Sequence, residues 1–398
     1  RPPSTTAWWR CSAPMQAPLT VDAGTPRGGA AAWGLLAVLL ALIFLPRVAA
    51  ADPLHWGRAV LGHLAVMQAA RPIESWLDDP STPAALRERL QLAQAVRQFA
   101  STQLALPDNA SYRRYADLGR PAVLWNVVAA PAWSLELKTW CYPVAGCVGY
   151  RGHFHLDRAQ QEAQALREQG WEVQVVPVSA YSTLGWTNWM GGDPVLNTFA
   201  TGSPIELARL IFHELAHQVA YASGDMAFSE GYATAVEQLG LEQWASHPSA
   251  QAVAPAQWQA WQQLQLQRRE LQALVQAHKA ELVALYRAGQ ADAQGLARKA
   301  ELKAQLQAQF AQWRNGRWPQ ERRFDAWVEG LNNAGLALLG SYQDPVPAFR
   351  ALFEREGRDF ARFHAAVKAL AAADRAVRWR TLHELCPECP AMPSARPS

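Results

Sequence analysis

Charge is scarce in this chain. Only 18% of its 398 residues are Asp, Glu, Lys or Arg, and 37 basic against 34 acidic side chains leave a net charge of +3. That balance makes no case for a nucleic-acid partner, and no dense Lys/Arg cluster offsets it. Cysteine is also scarce: five residues are too few for a disulfide scaffold. No internal repeat of solenoid length is evident. The apolar run at residues 30–45 is shorter than the roughly 20 residues that a membrane-spanning helix needs. What is present is apolar. Half of the residues are hydrophobic, enough for a substantial core in one large domain or two ordinary ones. The 18 tryptophans are scattered, as packing residues are.

Residues 1–27 show neither helical nor strand period and are set aside from the fold. Residues 30–45 are uncharged and apolar, with Arg10 and Arg27 upstream and Val48-Ala49-Ala50-Ala51 downstream. Basic flank, apolar run and small-residue site read as a secretory signal peptide, cleaved near Ala50 or Ala51. An uncleaved anchor is the alternative, giving membrane association through residues 30–45. Either way the expected location is the periplasm, free or membrane-anchored. Export gives the cysteines meaning. Cys141 and Cys147 lie six apart around Pro143 and Gly146, which suits a small disulfide loop in an oxidising compartment, with two free buried thiols as the alternative. Cys386 and Cys389 form a lone CxxC, read as an exposed tail pair, free or oxidised, rather than a zinc site.

The expected fold class is α+β, mainly α. Residues 56–104 have a helical pattern, with Leu86, Leu90, Ala93, Val96 and Ala100 near a 3.6 period. Residues 107–155 carry short apolar runs that read as strands and turns. Residues 157–169 form a polar helix closed by Gly170, and residues 171–181 alternate as a strand that Pro177 marks as an edge. From 204 onward the pattern is helical. Residues 257–314 suit a long helical hairpin with its turn between Gly289 and Gly295, and a last helical segment spans 321–378. The expected divisions are an N-terminal extension (1–51), N-terminal helices with the mixed segment and the metal helices (52–250), the hairpin (251–320), C-terminal helices (321–380) and a tail (381–398).

The chemistry concentrates in residues 205–240. His213-Glu214-Leu215-Ala216-His217 is an HExxH. On a helix, positions i and i+4 share a face, so both imidazoles reach one ion, while Glu214 is turned about 100° aside. Two hydrogen-bonded core histidines would give the same text, so a third ligand decides. Ser223-Gly224 breaks the helix and Asp225 suits an N-cap of the next one. Glu230 lies as far beyond that turn as His217 lies before it, and antiparallel helices would bring the two level. Glu237, two turns further along, is too far to ligate and is expected behind the ligands. Two His and one Glu with an open fourth position are the usual catalytic zinc set. One Zn2+ would activate water, and Glu214 would act as general base. Tyr342, Tyr232, Tyr221 and His153 are candidate oxyanion donors.

Residues 229–237, SEGYATAVE, are similar to the ligand segment of gluzincin zinc aminopeptidases, although only twelve residues separate His217 from Glu230, fewer than in the large enzymes of that clan. More closely, the chain resembles a bacterial family described as predicted aminopeptidases. The matching text includes RPI (71–73), LPDNASYRRYADLGRP (106–121), WNVVAAPAWSLELKTWCYPVAGCVGYRG (125–152), AYSTLGW (180–186), DPVLNTF (193–199), LIFHELAHQ (210–218) and LNNAGLALLGSY (331–342). The resemblance implies a zincin-like catalytic region acting on peptides, with Tyr342 as oxyanion donor. It also implies an edge strand before the zinc helix that holds substrate by strand addition, with Tyr181, Thr183 and Asp193 as substrate-binding residues. An endopeptidase or carboxypeptidase with the same site is an alternative. So is a non-catalytic envelope protein whose hairpin docks a protein partner.

Overall fold

The computed structural model describes residues 53–387 apart from 143–145, 186, 252, 290 and 341–344. The N-terminal run, Cys389 and Tyr342 therefore lie outside the described residues. The fold is α+β and mainly α. In chain order the longer helices are α1 (Pro53–Ala69), α2 (Ala84–Gln103), α3 (Leu156–Glu168), α4 (Pro204–Val219), α5 (Met226–Trp244), α6 (Pro255–Arg287), α7 (Ala293–Arg317), α8 (Asn333–Gly340), α9 (Val346–Arg355), α10 (Phe360–Ala372) and α11 (Arg375–Leu385). The strands are β1 (Arg71–Pro72), β2 (Arg114–Ala116), β3 (Leu124–Pro131), β4 (Trp140–Tyr142), β5 (Gly146–Val148), β6 (Arg151–His153), β7 (Trp171–Val178) and β8 (Val195–Leu196).

The sheet that borders the α4–α5 cleft has the order β6-β3-β7, antiparallel throughout, so β7 is an edge and Pro177 costs no interior ladder bond. One face, through Trp125, Val127 and Ala129, packs on Ala159, Ala163 and Leu166 of α3. On the other, Val128 and Ala130 pack on Ala334 and Ala337 of α8. The hairpin β4-β5 carries a Cys141–Cys147 disulfide. Cys386 is buried and disulfide-bonded, so it is not an exposed tail residue.

Three boundaries differ from the sequence pattern. The helical text at 56–104 is two long helices, because residues 70–83 pass through β1, a five-residue helix at Ile73–Leu77 and a proline-bearing turn. The α6–α7 turn is at Gly289 (φ +71°), whereas Gly295 lies inside α7, where its N–H is capped by Asp292. The last segment is broken into α8 to α11 and a short turn at Asp325–Glu329.

Helices α4 and α5 form the centre of the main core. Ser203 caps α4 ahead of Pro204, a proline position that needs no N–H. Ile205, Leu207, Ala208, Ile211, Phe212 and Leu215 are buried along it. Asp225 caps α5 by accepting from Phe228 N at 3.4 Å. Its other oxygen takes Arg378 Nη1 at 2.6 Å and Trp379 Nε1 at 2.9 Å, which ties the cap to α11. Close approach of α5 to α4 needs Gly240: a Cβ there would lie 3.0 Å from the Phe212 ring and 2.8 Å from Leu104.

Behind this pair, His364 on α10 donates from Nε2 to the Leu104 carbonyl (2.8 Å) and accepts at Nδ1 from the Tyr232 hydroxyl (2.8 Å). Both bonds suit the neutral ring. Burial lowers its pKa to about 4, and the Lys368 charge adds to the effect. The unfolded chain binds that proton below about pH 6.5 and the folded chain does not. Stability is therefore complete above pH 6.5 and is lost as pH falls toward 4. Urea unfolding at pH 7.5 and pH 4.5 should show wild type losing about 2–3 kcal/mol more than His364→Gln over that interval. Equal losses would remove His364 from the account.

Candidate metal centre

One turn of α4 separates His213 from His217, and the antiparallel α5 brings Glu230 to them. His213 Nε2 is 3.2 Å from His217 Nε2 and 3.3 Å from Glu230 Oε2, and His217 Nε2 is 3.6 Å from Glu230 Oε1. Among the described residues these three form the cluster able to hold a metal. Tetrahedral bonds of 2.0–2.1 Å would set ligand atoms roughly 3.3 Å apart, so the donors fit a small dication with little movement. Each imidazole presents Nε2 to the cluster.

The groups behind the cluster fix the first ring. Glu237 Oε2 takes His213 Nδ1 at 3.0 Å and Arg209 Nη1 at 2.6 Å, and Arg209 Nε bonds Glu206 at 2.7 Å. Thus Glu237, two turns beyond Glu230, stays off the cluster and orients the His213 ring. Arg209 was not singled out in the sequence, although it lies four residues before His213 on the same face. His217 Nδ1 is buried without a partner among the described residues. The residue after it is anchored instead: Gln218 accepts from Asn109 Nδ2 at 2.7 Å and donates to Ser111 Oγ at 3.1 Å.

Burial and the two carboxylates set the electrostatics of the cluster. Against the burial that lowers it, hydrogen bonds to Glu230 and Glu237 hold His213 up at about 10. Burial pushes Glu230 up, but the charges of His217 and His213 and the His213 hydrogen bond bring it down to about 2. His217 is lowered to about 4 by burial. Glu214 lines the same cleft, is 8% exposed and is raised to about 7, first by burial and then by the Glu230 and Asp193 charges.

The cleft holds about 710 Å³. Tyr181 and Thr183 line it, but both hydroxyls are engaged: Tyr181 with His63 Nδ1 at 2.7 Å, Thr183 with Asp193 at 2.8 Å. Asp193 is only 2% exposed and does not line the cleft; it also accepts from Thr183 N at 3.0 Å, so it fixes the loop as a capping residue does. Of the oxyanion candidates, Tyr221 lines the cleft with its ring 6.3 Å from that of His217. Tyr232 is fully buried on His364, and His153 pairs with Glu162 at 2.7 Å away from the cluster.

A model of the family described as "Putative aminopeptidase" matches residues 55–382, and the chain belongs to that family. No curated protein and no solved structure matches it significantly.

The Glu237 contact gives a direct test of the cluster. Glu237→Ala should weaken binding of a divalent metal by about 10- to 100-fold, read by competition with a chelator. Unchanged affinity would mean that His213 is not a ligand.

Proposed function

We propose that this family member is a zinc-dependent peptidase of gluzincin type, an aminopeptidase as the family description suggests. The observation that carries the proposal is the approach of two imidazoles and one carboxylate to within 3.2–3.6 Å of one another in a cleft that Glu214 also lines. His213, His217 and Glu230 would hold one Zn2+. Bound there, zinc supplies a Lewis acid that lowers the pKa of a water toward about 7 and polarises a carbonyl.

The chain's own residues then account for the remaining chemistry. The Glu214 carboxylate accepts the proton of the attacking water and returns it to the leaving amine. Glu237 keeps the His213 ring turned with Nε2 inward. Tyr221 is the described tyrosine best placed to donate to the oxyanion; Tyr342, the donor that the resemblance implies, lies outside the described residues. Edge strand β7 supports binding of an extended peptide: a groove of about 810 Å³ runs along Val173 to Pro177 and shares Val176 and Leu338 with the cleft. The Cys141–Cys147 disulfide supports an exported, periplasmic location, in keeping with the signal-like residues 30–45. Among the described residues no helix is long and apolar enough to cross a membrane.

Aminoacyl reporters and short peptides test the proposal. Zinc-loaded wild type should cleave them and a chelator should stop it. Glu214→Gln should lower kcat by at least about 100-fold while zinc remains bound. Hydrolysis that survives Glu214→Gln would refute the mechanism.

A further inference from the structure

Strand β3 departs from its own pattern at one residue. Leu124, Asn126 and Val128 point to one side of the sheet, and asparagine is depleted in central strands, where β-branched and aromatic residues pack better. Helix α8 covers the Val128 end of this face. The Leu124–Asn126 end opens into the catalytic cleft, where Trp56, Val148, Phe154, Val176 and Val178 complete an apolar wall. Asn126 lines the cleft, and its Oδ1 is buried beside Gly152 without a hydrogen-bond partner among the described residues. Its neighbours across the ladder are Val176 and Gly152. The glycine leaves the amide free: a Cβ at 152 would come within 3.1 Å of Asn126 Oδ1. A valine or leucine at 126 would pack on the same wall without an unsatisfied polar atom. Among the described residues Oδ1 gives the fold no hydrogen bond, and local rules are broken most often at functional or strained sites.

We propose that this sheet face is the side-chain subsite of the peptidase, that it takes a large apolar residue flanking the scissile bond, and that the Asn126 carboxamide orients the peptide by hydrogen bonding its backbone. The proposal rests on the peptidase reading above. The wall supplies burial without discrimination of register, since apolar contact is non-directional. A single amide set in it supplies direction, because a peptide that fails to pair with it leaves a buried polar group unsatisfied.

Binding and turnover are measured separately. In the zinc-loaded Glu214→Gln protein, calorimetry with the pentapeptides AFLFA and ADEDA should show the apolar peptide binding at least about 10-fold more tightly. Adding Asn126→Leu should weaken AFLFA by about 10- to 100-fold with zinc content unchanged and no fall in Tm. Gly152→Ala, which crowds the amide without removing it, should weaken AFLFA in the same direction and serves if Asn126→Leu does not fold. In the otherwise wild-type enzyme, Asn126→Leu should raise KM and leave kcat within about twofold, a split that general loosening of the sheet would not give. Equal binding of the two peptides, or unchanged AFLFA binding in both variants, would overturn the subsite. A wild type that hydrolyses with dependence on Glu214 but ignores Asn126→Leu would defeat this proposal alone. A wild type that binds AFLFA through Asn126 yet hydrolyses nothing would defeat the peptidase reading instead.

Discussion

The antiparallel return of α5 against α4 is the constraint on which the site depends. His213 and His217 share a face by helix geometry alone, but Glu230 reaches them only because the turn at 220–225 sends the chain straight back. Several independent bonds hold that turn. Asp225 caps α5, Ser229 Oγ accepts from Ala222 N at 3.1 Å, and Gly224 takes φ +74°, where a side chain would be strained. The Asp225 carboxylate is itself fixed by Arg378 and Trp379, more than 150 residues along the chain. The C-terminal helices thereby help to set the height at which Glu230 meets His217.

Electrostatics follow from that packing. Glu230 and Glu237 flank His213, and Glu214 is raised to about 7 in the same buried space. Carboxylates this close are tolerated because cationic groups stand between them: His213 raised to about 10, and Arg209 bridging Glu237 and Glu206. A dication at the cluster answers the same demand more completely, and a bound cation would pull the Glu214 pKa downward.

Much of the site was legible in the sequence because it is written in local geometry. The spacing of His213 and His217 needs only 3.6 residues per turn. Glu230 could be placed by equal distance from a recognisable break, and Glu237 by counting two more turns. The helix, strand and edge character of residues 157–181 followed from period and from Pro177. What escaped the sequence is tertiary. The break at 70–83 serves β1 pairing with β2, whose partner text lies more than 40 residues away. Tyr232 is sealed by His364, and Asp193 turned inward toward Thr183, through contacts that no local pattern encodes. Asn126 stood in plain view as a polar residue in a β-rich run, but its meaning appears only when Gly152 and Val176 are set beside it.

X-ray absorption at the zinc edge of the metal-loaded chain reads out the atoms around the ion. Zinc held by His213, His217 and Glu230 requires one ion per chain with a shell of nitrogen and oxygen at about 2.0–2.1 Å, imidazole scattering from two histidines, and loss of that signal in His213→Ala. A sulfur shell at about 2.3 Å, or a wild-type chain that takes up no stoichiometric metal, would contradict it.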